Sequence, residues 1–217
     1  MNLFRILADI SHCASIVILL HTIRKTGSIS GVSIKTQVLY ALVFITRYLN
    51  LFTRWISIYN TVMKVFLIVS SIYTVRELQK YKYKNPVAYQ EMIMGDAFKV
   101  QYLLVPCLVL AFVFNHGFGL ISLNQSFSMW LESVAIMPQL FMLSKSGKAP
   151  ALTTHYIFAL GLYRALYIPN WIWRYCYESR FDKLAFVTGV IQTLVYSDFF
   201  YIYYKKVIKG LGFQLPH

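Results

Sequence analysis

Tyr102-Leu103-Leu104-Val105-Pro106-Cys107-Leu108-Val109-Leu110-Ala111-Phe112-Val113-Phe114 carries no charge and does not alternate polar with apolar positions. A strand facing lipid on one side would alternate, so the stretch reads as a helix in hydrocarbon. Val65-Phe66-Leu67-Ile68-Val69 has the same character. The composition agrees: of 217 residues, 58% are hydrophobic, 17% aromatic and 13% charged, whereas a soluble domain carries about a quarter charged residues. Tyr and Phe spread along the whole chain exclude a disordered protein. The 21 Lys+Arg against 8 Asp+Glu give a net charge of +13. That excess alone would suit a nucleic acid, but a bilayer also explains the apolar remainder. The chain reads as an all-α membrane protein.

A spanning helix takes roughly 20 mostly apolar residues, which predicts seven transmembrane helices over 3–23, 34–53, 55–76, 97–115, 118–143, 151–173 and 181–204. The loops after spans 1, 3 and 5, with the tail 205–217, hold Arg24, Lys25, Lys35, Arg76, Lys80, Lys82, Lys84, Lys99, Lys145, Lys148, Lys205, Lys206 and Lys209. The other side holds only Arg54, Arg174, Arg180 and Lys183. By the positive-inside rule the first set is cytosolic, so the N-terminus faces the lumen or exterior and the tail faces the cytosol. Topology thereby absorbs most of the positive charge, and nucleic acid drops out as a partner. Met1-Asn2-Leu3-Phe4-Arg5 shows no basic flank or cleavage site of a removable signal, so the first span is expected to target the chain.

The sequence echoes itself. Arg24-Lys25-Thr26-Gly27 follows span 1 and Ser144-Lys145-Ser146-Gly147 follows span 5. Each precedes a hydroxyl-rich turn and an apolar helix with an internal arginine, Arg47 or Arg164. The offset covers four spans, an even number, so the copies run the same way. Two parallel three-helix repeats, about 3–76 and 118–204, joined by the linker helix at about 97–115, would form a single membrane domain. Repeat interfaces in membrane carriers commonly hold the ligand.

Arg5, Asp9, His12, Arg47, Lys64, Glu132, Arg164 and Asp198 all fall inside predicted spans. Each costs a few kcal/mol against lipid, so these groups should face one another or a wet cavity. Arg5, Asp9 and His12 share one helical face; Tyr163, Tyr167, Asn170, Trp171 and Arg174 form a stripe on span 6. Pro169 lies in that stripe and is expected to bend the helix. Arg174 sits at the rim, Arg5 just inside it, and Arg47 roughly 10 Å below the end of span 2. This descending row of cations, with few buried acids to neutralise it, would receive an extended anion such as a tetrapeptide about 13 Å long. Blander alternatives stand beside this: snorkelling of Arg5, a structural Lys64–Asp198 pair, and an interfacial belt for the aromatic stripe. Cys13, Cys107 and Cys176 are widely separated, with no metal spacing. No HExxH or nucleophile elbow is present, and Met94-Gly95-Asp96 lacks the glycine of an intramembrane aspartyl-protease motif. Neither catalysis nor a cofactor is expected.

Arg47-Tyr48-Leu49, Trp130-Leu131-Glu132-Ser133-Val134-Ala135-Ile136, and Gly161-Leu162-Tyr163-Arg164-Ala165-Leu166-Tyr167 through Asn170-Trp171-Ile172-Trp173-Arg174 closely resemble the KDEL receptors, and the resemblance runs practically end to end. It implies a SWEET/PQ-loop-like fold, with Pro138-Gln139 in the matching place. It also implies a receptor of Golgi and endoplasmic reticulum (ER) membranes. Such a receptor binds the C-terminal Lys/His-Asp-Glu-Leu signal of soluble ER proteins in the acidic Golgi and releases it near neutral pH. By the family pattern Arg174 meets the signal's Asp, Arg5 its Glu, and Arg47 the terminal carboxylate, with Tyr48 alongside. Arg164, Tyr167, Asn170 and Trp171 line the same path. His12, Glu132 and Tyr163 form the pH-dependent lock. Histidine is the side chain that ordinarily titrates near Golgi pH; if the bound state favours the imidazolium, acid promotes binding and rising pH promotes release.

Three positions depart from relatives that prefer Lys at the first signal position: Asn50 stands for an Asp, Ser122 for a Glu and Gln125 for a Trp. Two anions that would face a ligand lysine are missing, so His or Asp is expected there instead. Asp198 matches an acidic position linked in the family to transport, and Lys205, Lys206 and Lys209 are the candidates for contact with the COPI coat. The competing reading on the same fold is a small-solute transporter; the row of arginines speaks against it, since a neutral sugar needs no three cations.

Overall fold

The structure, a computed structural model, describes residues 2–27, 29, 31–51, 55, 57–146, 151–179 and 181–204. The described residues form helices and no strands: α1 (Leu3–Thr26), α2 (Ile34–Arg47), α3 (Ile58–Lys84), α4 (Pro86–Gly95), α5 (Gln101–Val113), α6 (Leu120–Val134), α7 (Met137–Ser146), α8 (Ala151–Glu178) and α9 (Lys183–Tyr203), with a short 3-10 turn at Leu49–Leu51. Leu3–Lys25, Ile58–Lys84 and Lys183–Tyr201 are long and apolar enough to cross a bilayer by length and composition; α5 is a shorter apolar helix.

Side-chain distribution points to a lipid surround. Val62 and Val69 of α3, Val105, Val109 and Phe112 of α5, and Leu194 of α9 lie on the outside, while Glu132, Gln139 and Gln192 are almost wholly buried. In water this arrangement would leave apolar surface exposed and polar groups desolvated. In a bilayer the outer surface needs no water, and the polar groups bond one another inside.

Local chemistry sets the helix ends. Asn2 caps α1 by accepting from the Arg5 amide at 2.9 Å, and Ser57 caps α3 by accepting from that of Asn60 at 3.2 Å. Both caps satisfy amides that a helix start leaves without partners. Gly27 ends α1 in the left-handed conformation, φ 60°, which glycine adopts without a Cβ penalty. Asn85 ends α3 and caps α4, whose first residue is Pro86.

Three features differ from the sequence expectation. First, α3 continues beyond position 76 to Lys84. Second, α4 is a helix inside what read as a loop. Third, the span expected over 118–143 breaks at Ala135-Ile136 into α6 and α7. Pro138, the second residue of α7, explains the break: it offers no amide, and its ring would clash with the carbonyl of Val134 in a continuous helix. The bend expected at Pro169 does not interrupt α8, which runs through it.

Helix α1 packs along α8 and α2 along α6; α2 also packs on α3, α8 on α9, and α6 on both α5 and α9. At the end of α2 remote from Arg47, a buried polar cluster joins three elements. Asp96, following α4, accepts from Ser33 Oγ at 2.8 Å and from the Lys35 amide at 3.0 Å. Gln139 of α7 accepts from the Ser33 amide at 2.8 Å and donates to the Gly31 carbonyl at 2.7 Å. Lys35 Nζ adds bonds to the carbonyls of Asp96 and Phe98.

Candidate functional site

The C-terminal end of α2 and the neighbouring ends of α1, α3, α6, α8 and α9 enclose a cavity of about 280 Å³. Its lining includes four basic side chains (Arg5, Arg47, Lys64, Arg164) and two carboxylates (Asp9, Glu132). With His12 neutral, two positive charges are left over. Tyr48, Tyr59, Tyr163, Tyr167 and Trp171 supply aromatic walls, and Asn60 and Thr188 add polar groups.

Glu132, 1% exposed, is the hub of the deep end. It accepts from Arg47 and Arg164 and from the Tyr163 hydroxyl. A buried carboxylate is tolerated when its lone pairs are taken up by charged and hydroxyl donors, and here two helices, α2 and α8, supply them. Arg47 also donates from Nε to Ser128 Oγ at 3.0 Å, while its Nη2 is buried without a hydrogen-bond partner. A donor is thus left over on an arginine that lines the cavity. Arg164 donates from Nε to Gln192 Oε1 at 2.6 Å and lies against the Tyr163 and Trp171 rings, its Cζ 5.2 and 5.9 Å from their centroids.

His12 stacks on Tyr163, with ring centroids 4.1 Å apart and planes 6° from parallel, and tilts against Phe44 at 5.5 Å. The grouping of His12, Glu132 and Tyr163 expected from the resemblance is therefore present, with Tyr163 between the other two. His12 also lines a second, small cavity of about 20 Å³ below the first. Under it lies a layer of tyrosines: Gln37 donates to the Tyr156 hydroxyl at 2.8 Å, and the Tyr40 and Tyr196 hydroxyls are 3.2 Å apart.

The shallow end is built around Asp9. It accepts from the Tyr59 hydroxyl at 2.6 Å and the Tyr167 hydroxyl at 2.5 Å, and stands 3.7 Å from Arg5 Nε. Arg5 Nη2 donates to Asn60 Oδ1 at 2.6 Å. Trp171 can pack close against α9 because position 189 is glycine: a Cβ there would stand 2.3 Å from Trp171 Cζ3.

Of the residues expected to bind a ligand, Arg5, Arg47, Tyr48, Arg164, Tyr167 and Trp171 meet in the cavity with His12, Glu132 and Tyr163. The remaining expected residues do not line it. Arg174 is half exposed at the end of α8 and pairs with Glu178 at 2.9 Å. Asn170 is buried, with its Oδ1 lacking a partner. Asn50 touches the site through Lys64, whose Nζ donates to it at 3.1 Å. Gln125 connects through its carbonyl, which accepts from Ser128 at 2.6 Å, and Ser122 lies nearer the start of α6. Asp198 is exposed on α9, and Lys205, Lys206 and Lys209 lie outside the described residues.

The cations outnumber the acids in the cavity, as expected, but each arginine has a carboxylate of the chain beside it: Asp9 for Arg5, Glu178 for Arg174, and Glu132 for both Arg47 and Arg164. The excess of positive charge survives because Glu132 is shared. Sequence reading also missed Tyr59, Asn60 and Gly189 as site residues. Asn60 was within reach of the spacing rule, since it lies four residues before Lys64 on one face of α3.

Residues 28–174 match the family described as ER lumen protein retaining receptor. Over its full length the chain is 64% identical to the ER lumen protein-retaining receptor of Kluyveromyces lactis, covering 99% of that protein. It is 61% identical to that of Saccharomyces cerevisiae and 53% identical to ER lumen protein-retaining receptor 2 of Homo sapiens, covering all of each. Arg47, Tyr48, Glu132, Tyr163, Arg164, Tyr167 and Trp171, from the stretches that carry the resemblance, line the internal cavity, and identity of this extent over the whole chain assigns it to the ER lumen protein-retaining receptor family.

Proposed function

We propose that the chain is a retrieval receptor that takes the C-terminal tetrapeptide of soluble ER proteins into the cavity between α1, α2, α3, α6, α8 and α9. The observation that carries this reading is the cavity's charge: four basic side chains against two carboxylates, with an unused donor on Arg47. A signal ending in Asp-Glu-Leu brings two side-chain carboxylates and a terminal one. Arginine forks bind carboxylates bidentately. Arg47 is suited to the terminal carboxylate, Arg5 to the Glu, and Arg174, further out, to the Asp. A neutral solute would leave the positive excess unmatched, which disfavours the transporter reading.

His12 is the proton-sensitive member. It shares a stacked contact with Tyr163, whose hydroxyl is spent on Glu132, so protonation would place a cation beside the carboxylate that Arg47 and Arg164 now share. Relieving either arginine of that duty frees it for the ligand, which links acid to binding. Asn50, Ser122 and Gln125 offer no anion to a first-position lysine, and His or Asp is preferred there. Seven spans in two parallel three-helix repeats fit the packing: the first span of one half lies on the second of the other in both directions, α1 on α8 and α6 on α2, as a pseudo-two-fold requires. The receptor resides in ER and Golgi membranes with its N-terminus luminal, and Lys205, Lys206 and Lys209 meet the COPI coat.

The test is binding of a labelled HDEL-type peptide to membranes containing the chain, with free and with amidated C-terminus, beside a flux assay for sugars and amino acids. Binding of the free acid alone supports the reading; equal binding of both forms, or solute flux without peptide binding, overturns it.

A further inference from the structure

Asp9 is not explained by a cavity that simply awaits an anion. It is 9% exposed, lines the same cavity, and adds a negative charge where the ligand is thrice negative. Nor does Arg5 need it for solvation, since a third of the Arg5 side chain is open and its guanidinium already bonds Asn60. Yet Asp9 is held with care, by the Tyr59 hydroxyl of α3 and the Tyr167 hydroxyl of α8, at 2.6 and 2.5 Å. Its contact with Arg5 is the loose one: 3.7 Å, to Nε. An incoming carboxylate can take the guanidinium fork with two short bonds, and so outcompete it at that arginine.

We propose that Asp9 is a built-in counter-anion, occupying Arg5 in the empty receptor as a stand-in for the signal's glutamate and tying α8 to α3 through Tyr167 and Tyr59 until the signal displaces it. This rests on the binding role given above to Arg5. Asp9 then lowers affinity rather than raising it: the signal must dislodge one carboxylate and share the cavity with it afterwards. The charges facing Asp9 are those of Arg5 and, across the cavity, Lys64, Arg47 and Arg164, with Glu132 as the other anion. A receptor that has to let go of its cargo gains from such a brake, since it speeds release without removing any cation that recognition needs.

The Asp9→Asn variant keeps the shape and one acceptor but removes the charge. Two unit charges a few ångströms apart in a partly wet site repel enough to change an equilibrium on the order of tenfold or more. Isothermal or radioligand titration of purified receptor with the free-acid tetrapeptide is expected to show about tenfold tighter binding in the variant and slower dissociation, whereas Asp9→Glu, which retains the charge, shows no gain. Unchanged or weaker binding by folded Asp9→Asn overturns the proposal, because removing an anion that competes for Arg5 must tighten binding. In the wild type, with aspartate carboxyl groups carbon-13 labelled, the peptide should shift an aspartate carboxylate band in the infrared difference spectrum; no shift also overturns it, and this arm does not depend on the variant's folding. Failure of the wild type to bind the peptide at all would instead sink the receptor reading and this inference with it.

Discussion

Gly189→Ala is expected to damage the receptor at its binding wall rather than in its fold. The added Cβ would lie 2.3 and 2.4 Å from Cζ3 and Cη2 of Trp171. Carbon atoms in contact prefer about 3.5–4.0 Å, so the indole or the helix must yield by about 1.2 Å. Trp171 is confined by Tyr167 at 5.6 Å and Phe186 at 6.3 Å between ring centroids, and its open side is the cavity. Overpacking costs about 1–3 kcal/mol, but alanine regains about 1 kcal/mol over glycine within a helix. Net stability therefore falls by no more than about 2 kcal/mol. Peptide affinity falls as well, by at least about tenfold, because the wall shifts by nearly the radius of an atom. Gly161→Ala is the control. Its Cβ would meet Phe200 at 2.6 Å and Tyr196 at 2.7 Å, neither of which lines the cavity, so thermal stability should drop while peptide affinity holds. Peptide titration and thermal unfolding of both variants in detergent decide the matter. Equal loss of affinity in both, or none in Gly189→Ala, would refute the placement of Trp171.

Glu132→Gln leaves Arg47 and Arg164 buried without their shared carboxylate; a loss of about 3–5 kcal/mol is expected, read as a lowered unfolding midpoint. His12→Ala should abolish the pH dependence of peptide binding. In the wild type, if binding takes up a proton at His12, affinity is high below the imidazole's ordinary range and falls as pH rises through it, so titrations at about pH 5.5 and about pH 7.4 separate the two. Asn50→Asp combined with Ser122→Glu restores two anions and should raise the affinity for a first-position lysine relative to histidine, measured by competition between KDEL and HDEL peptides.

Much of the fold could be read from hydropathy because a bilayer imposes one rule along the whole chain: apolar stretches of spanning length become helices. Each predicted stretch indeed contains a described helix. Hydropathy is blind to what happens inside a stretch, so the break at Ala135-Ile136 went unnoticed although Pro138 was in view. It is equally blind to short helices of mixed polarity such as α4, for which Asn85-Pro86, a capping residue followed by proline, was the available sign. In the site, the desolvation cost of intramembrane charge picked out Arg5, His12, Arg47, Glu132 and Arg164, and helical spacing put several on common faces. Partners across helices have no such periodicity. That Glu132 would serve two arginines, that Tyr59 and Tyr167 would converge on Asp9, and that Gly189 would seat Trp171 depend on the packing of α1 on α8 and of α9 beside it.

The rivet formed by Ser33, Asp96 and Gln139 bears on permeability. Membrane carriers work by loosening one end of a helix bundle as the other tightens. Here the end away from Arg5 is fastened by a buried acid, an amide side chain and a lysine drawn from separate stretches of chain, and between it and the cavity floor lies a layer of interlocked tyrosines. On the proposed function, such a floor would make the site a well rather than a tunnel, so that a peptide lowered in would leave by the same mouth.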